Sequence, residues 1–149
     1  MQLLRTSLLL AALALPAAQA LRPAAAAPPV QKNEANLVLL EVRLGSQLLS
    51  DAVTGYEIGR DVYLPLGEMA RLLTLAIRVT PGEGRASGYI LAEERNFSLD
   101  VQARALDIAG VRQEFDPALL RVEGDEIYVA SRLLARWLPV DLDLDMSSL

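Results

Sequence analysis

Three aspartates stand at alternate positions, Asp141, Asp143 and Asp145, and alternate carboxylates of this kind can turn toward one calcium ion. A calcium loop needs polar spacing and a Gly at its sixth position. Here Leu142 and Leu144 lie between the acids and Met146 occupies the sixth place, which favours a solvated strand face. Two acid pairs, Glu93-Glu94 and Asp125-Glu126, have the composition of an acid and a base for glycoside cleavage, a reaction that requires two carboxyls facing each other across a cleft. Both pairs fall where turns are expected, and nothing in the spacing brings them together. Four tyrosines and Trp137 could supply flat faces for a sugar or a peptide. The chain has no Cys and no His. Thiol nucleophiles, disulfides, lipid attachment at an N-terminal Cys, imidazole or thiolate metal sites and the commonest general base are therefore excluded. Lys32, the one lysine, has no Gly-rich phosphate loop around it. The expectation is a non-enzymatic protein with no catalytic residues, no metal and no cofactor.

Composition points the same way. The net charge is −5 and becomes −6 if Arg5 is lost with a leader, and the acids are spread along the chain. Phosphate backbones are bound by clustered cations, so nucleic acid is not an expected partner. Apolar residues make up 52% of the 149 positions and charged ones 22%, enough to bury one core but not two.

Residues 1 to 20, MQLLRTSLLLAALALPAAQA, combine one positive charge at Arg5, an apolar run from Leu8 to Leu15, Pro16 as a breaker and small residues at Ala18 and Ala20. This is the pattern of a secretory signal peptide, and the apolar run is shorter than the roughly 20 residues of a spanning helix. Residues 21 to 36 are rich in Ala and Pro without periodicity and read as a spacer. The domain is then expected over residues 37 to 149, exported to the periplasm or cell envelope, with no transmembrane helix after the leader.

An offset of 65 positions aligns the chain with itself. Residues 59 to 80 match residues 124 to 145, with Gly59 on Gly124, Tyr63 on Tyr128, Ala70 on Ala135, Arg71 on Arg136 and Leu73 on Leu138. Each copy reads as a short strand (Val62 to Leu64, or Ile127 to Val129) and then a helix with apolar residues at 66, 69, 70 and 73, or at 134, 135 and 138. A closing strand places Leu75, Ile77 and Val79, or Val140, Leu142 and Leu144, inward. Trp137 falls on Leu72 and Tyr63 on Tyr128, which favours packing for these aromatics. Tyr56 and Tyr89 lie outside the repeat and form the candidate binding surface.

Elsewhere the chain reads as β. Val38, Leu40, Val42 and Leu44 alternate with Leu39, Glu41 and Arg43 ahead of a Gly45-Ser46 turn. Tyr89 to Leu91, then Phe97, Leu99 and Val101, then Leu106 and Ile108 give further strands, and Asp116-Pro117 can cap a short helical turn. The expected fold class is α+β, a duplicated strand-helix-strand unit with a mixed, mainly antiparallel sheet and two short helices.

The segment Asp61-Val-Tyr-Leu-Pro-Leu-Gly-Glu-Met-Ala-Arg-Leu-Leu and its second copy resemble the copper amine oxidase N-terminal-like (stalk) domain over about residues 59 to 145. The Gly that the family sets after the helix is replaced around Thr74-Leu75 and by Pro139. The resemblance implies a non-catalytic appendage of an exported protein that carries no copper itself. In its arrangement of leader, Pro/Ala spacer and opening strand, the chain also resembles the periplasmic N-terminal region of an outer-membrane usher-like protein. That likeness implies a piece of a larger envelope protein. The expected function is an interaction module for a protein partner in the cell envelope, with a cell-wall or polysaccharide-binding stalk as the alternative and a small hydrolase fragment behind both.

Overall fold

The computed structural model describes residues 34 to 143. Gly45 and Ser46 turn the chain between two long strands, β1 (Ala35–Leu44) and β2 (Gln47–Ile58). β1 takes in Ala35 and Asn36, the last two residues assigned to the spacer. Along β1 the alternation holds up to the turn: Leu40 is buried and Val38 and Val42 partly so, whereas Leu37, Leu39, Glu41 and Arg43 face out, but Leu44, the last of the inner set, is 54% exposed beside the hairpin turn. A Gly59-Arg60 turn leads into β3 (Asp61–Pro65) and α1 (Leu66–Leu72).

The chain then leaves this sheet. β4 (Ala76–Thr80), β5 (Arg85–Ile90), β6 (Ala92–Asp100), β7 (Ala105–Ile108) and β8 (Val111–Gln113) form a meander in their own antiparallel sheet, in sequence order. A 3₁₀ turn at Pro117–Leu119, capped by the Asp116 carboxylate accepting from the Ala118 N–H at 2.9 Å, returns it to the first sheet. There β9 (Leu120–Glu123) and β10 (Glu126–Ala130) complete the order β1-β2-β3-β10-β9, and α2 (Ser131–Trp137) follows. The class is α+β, mostly sheet, with two short helices among the described residues. The mixed sheet is corrected: among the described residues all strand pairs are antiparallel, in two sheets of five.

At the centre of the first sheet β3 and β10 lie side by side, with Leu64 opposite Val129. Their outer neighbours pair in equivalent registers. β2 sets Tyr56 opposite Tyr63, and β9 sets Arg121 opposite Tyr128, and each residue of the second pair lies 65 positions after its counterpart.

The closing strands differ. Leu75 and Ile77 are buried and Val79 half-buried in and just before β4 as expected, but residues 138–143 form no strand and Leu144 lies outside the described residues. Pro139 has no N–H to give a ladder and holds Leu138 in an extended conformation (φ −96°, ψ 150°) that stops α2. Val140 and Leu142 still pack against the core. The buried face of α2 is also rotated from the expected one: Leu133, Leu134 and Trp137 are buried, and Ala135 is half-exposed.

One hydrophobic cluster joins both sheets and both helices. Val53, Leu64, Ile127 and Val129 from the first sheet meet Ile90, Phe97, Leu99 and Leu106 from the second, with Leu66 and Met69 of α1 and Leu133, Leu134 and Trp137 of α2. Trp137 packs edge-on against Phe97 at 6.2 Å and Phe115 at 5.8 Å between ring centres, a geometry favoured by the ring quadrupoles. Among the described residues no helix is long and apolar enough to cross a membrane.

Candidate functional site

Four strands bound the two sheets. β9, β4 and β8 are short edges of 4, 5 and 3 residues, while β1 runs for 10. An edge strand presents a row of backbone donors and acceptors with no neighbour, and proteins ordinarily blunt such edges with proline, lysine, a bulge or brevity. β1 has no Pro and no Lys. The β1–β2 ladder does contain bulges, but they lie on the inner strand. From Leu40↔Val53 to Val42↔Ser50, β1 advances two residues and β2 three; from there to Arg43↔Leu48, β1 advances one and β2 two. The extra residues belong to β2, so β1 stays regular.

The same hairpin carries exposed leucines. Leu37 is 63% and Leu39 58% exposed on the outer row of β1, and Leu44 and Leu48 flank the turn at 54% and 46%. Beside them Glu41 and Arg43 form an ion pair within β1.

Tyr56 lies next to this row, opposite Leu37 across β1–β2. It is half-buried and already engaged: the Tyr128 ring meets it edge-on at 4.8 Å, the Arg121 guanidinium stands 5.3 Å from its ring centre, and its hydroxyl donates to Glu123 at 3.4 Å. Glu123 Oε2 is shielded from water, and its partner is the Arg121 ion pair. Burial, followed by the nearby Tyr56 and the Glu126, Glu123 and Glu68 carboxylates, holds the Tyr128 hydroxyl above the usual tyrosine range. Burial also raises Tyr63, whose hydroxyl donates to the Ala118 carbonyl at 2.9 Å, with Asp61 and Asp116 adding to the shift and Arg132 opposing it.

Tyr89 is not part of this cluster. It sits on β5 of the other sheet, between Ala76 and Asn96, 37% exposed. The two tyrosines of the candidate surface therefore lie on different sheets. The open edge of β1 was not singled out by sequence reasoning. Its alternation was visible, but its position at a sheet margin depends on pairings far along the chain.

The acid pairs are separated as well. Glu93 and Glu94 lie within β6, not in a turn, where β6 bulges away from β5 between Tyr89↔Asn96 and Ile90↔Ala92. Asp125 occupies the β9–β10 turn, and Glu126 is committed to the backbone: Oε1 accepts from the Gly67 N–H at 3.0 Å and the Ile127 N–H at 2.8 Å, and Oε2 from the Glu68 N–H at 3.2 Å. Asp141 and Asp143 are exposed in the irregular segment after α2, and Asp145 lies outside the described residues, as do the leader and Lys32.

Comparison with protein-family models, with curated proteins and with solved structures finds no match.

Proposed function

We propose that this chain is a non-enzymatic, exported interaction module of a cell-envelope assembly, and that it holds a protein partner along the open edge of β1. The observation that carries the reading is β1 itself: ten residues, regular, without Pro or Lys, with Leu37 and Leu39 exposed beside an unpaired backbone. A partner strand added there gains backbone hydrogen bonds and covers apolar side chains that this edge leaves exposed. Export rests on the leader pattern of residues 1 to 20. The glycan alternative is left with Tyr89, since Tyr56 is held by Tyr128 and Arg121.

The β2–β3–α1 and β9–β10–α2 segments belong, in the same proposal, to two copies of one ancestral unit. The shared register at an offset of 65 supports this. The second copy then lacks a closing strand over residues 138–143.

The test is photo-crosslinking in the native host, with the probe at position 39 on β1 or at position 91, which is 69% exposed at the β5–β6 turn. A discrete protein adduct from position 39 and none from position 91 is expected. No adduct, or the same adduct from both, overturns the reading. Fractionating the cells with an antibody to the domain checks export, and a cytoplasmic product would overturn that part.

A further inference from the structure

We propose that the strand seated on β1 is β1 of a second copy of this chain, paired antiparallel about a two-fold axis at Val42. The inference rests on β1 being the docking edge, as argued above, and adds the identity of the partner.

The argument is charge complementarity. Glu41 and Arg43 are two residues apart on the outer row of one strand, and their charges cancel. In a symmetric antiparallel pair centred on Val42, each Glu41 stands opposite Arg43 of the copy, so two opposite-charge pairs form. Residues directly opposite share a face, where opposite charges stabilise and like charges destabilise. Centring the pair on Glu41 or on Arg43 would set that residue against itself. Centres at Leu39 or Leu40 leave both charges opposite apolar side chains. Of these registers, Val42 alone pairs every charge with its opposite.

Packing follows from the same register. Leu40 stands opposite Leu44 of the copy, twice over, and covers a leucine that is 54% exposed in the single chain. Val42 meets Val42 between them. Five residue pairs, from 40 to 44, form the ladder, against four for β9–β10 inside the domain. The two bulges leave this stretch of β1 regular, because they add their residues to β2. The contact is isologous and closes on itself, giving a dimer and not a filament. Two five-stranded sheets become one of ten strands.

Sedimentation equilibrium of the purified chain tests this with four variants. The unaltered chain is expected to be dimeric. Glu41→Arg and Arg43→Glu each turn both cross-strand pairs into like-charge pairs and raise the dimer dissociation constant about tenfold or more. The double swap E41R/R43E restores the pairs and returns the constant to within about threefold of the original. Glu94→Arg, an equal change of charge on β6, leaves the dimer intact. Melting curves confirm that each variant is folded. A chain that is monomeric at every concentration, single variants that stay dimeric, or a double swap that fails to recover each overturns the proposal. A monomer that still gives the position 39 adduct with another protein removes the second copy and keeps the docking edge, whereas losing both removes the edge as well.

Discussion

Glu126, the first residue of β10, accepts a hydrogen bond from the backbone N–H of Gly67 at 3.0 Å, in the first turn of the helix that follows the neighbouring strand. An offset of 65 places Asp61 on Glu126 and Gly67 on Arg132. The second pair also meets: Asp61, the first residue of β3, accepts from the Arg132 guanidinium at 2.7 and 3.1 Å. Each central strand thus opens on an acid that holds the helix following the other strand. The means differ because Gly67 has no side chain. A Cβ there would lie 2.8 Å from Glu126 Oε2, so the glycine makes room for a carboxylate to reach the free N–H groups of α1.

Replacing the two acids should separate these roles. Glu126→Ala strips two donors at the start of α1 of their acceptor and is expected to cost about 1–2 kcal/mol, the range for a lost helix cap. Asp61→Ala breaks a pair whose arginine is 63% exposed and should cost less than the loss of Glu126. Urea denaturation of both variants checks the order, and equal losses would contradict the capping role of Glu126.

Gly88 marks a second constraint on backbone. It adopts φ +150° in β5, and a Cβ there would fall on the Ala76 carbonyl, 2.8 Å from its carbon and 2.9 Å from the Ile77 Cα. Those atoms are main chain in β4 and have no rotamer to change. Gly88→Ala is therefore expected to destabilise by about 3 kcal/mol or more. Thermal unfolding by circular dichroism reads this directly, and a melting temperature within a few degrees of the original would show that β4 can shift aside.

Local pattern made part of this fold legible. The alternation in β1 and β4, the apolar face of α1 and the Asp116 cap are set by neighbours in sequence, and they stand where spacing puts them. The division into two sheets is not local: after α1, Leu75, Ile77 and Val79 alternate equally well for either sheet, and the pairing of β4 with β5 decides it. The face of α2 was ambiguous because Leu133, Leu134 and Ala135 run together, so spacing alone could not fix the phase; the contacts of Trp137 with Phe97 and Phe115 do. Leu39, Glu41 and Arg43 were visible as an outer row. That the row borders a free edge follows from β1 having β2 as its one neighbour in the sheet.

Thr74 occupies the place where a glycine ordinarily ends a helix. Its φ is +56°, and the Leu75 N–H reaches back to the Ala70 carbonyl at 2.7 Å, closing α1 with the bond of a Schellman turn. A β-branched residue is strained in this region, and glycine is not. Thr74→Gly should relieve about 1 kcal/mol of strain and raise the midpoint of urea denaturation without changing its slope. A fall in the midpoint would show that the added freedom of the unfolded chain outweighs the relief.

Alkaline pH acts on the pair Tyr63 and Tyr128, both raised above the ordinary tyrosine value chiefly by burial. A hydroxyl that ionises less readily in the folded chain than in the unfolded one lends stability that is fully present below the unfolded value, about pH 10. That stability is lost as the pH rises through the folded value, because the unfolded state then releases its proton first. Among the described residues there is no lysine to titrate in the same window. The chain is therefore expected to melt at progressively lower temperature as the pH rises above about 10. Tyr128→Phe should flatten the slope while leaving the neutral melting temperature nearly unchanged, since its ring can keep the edge-on contact with Tyr56. Tyr63→Phe should flatten it too but start about 1 kcal/mol lower at neutral pH, because it forfeits the bond to the Ala118 carbonyl. A slope unaffected by both substitutions would assign the alkaline loss to other groups.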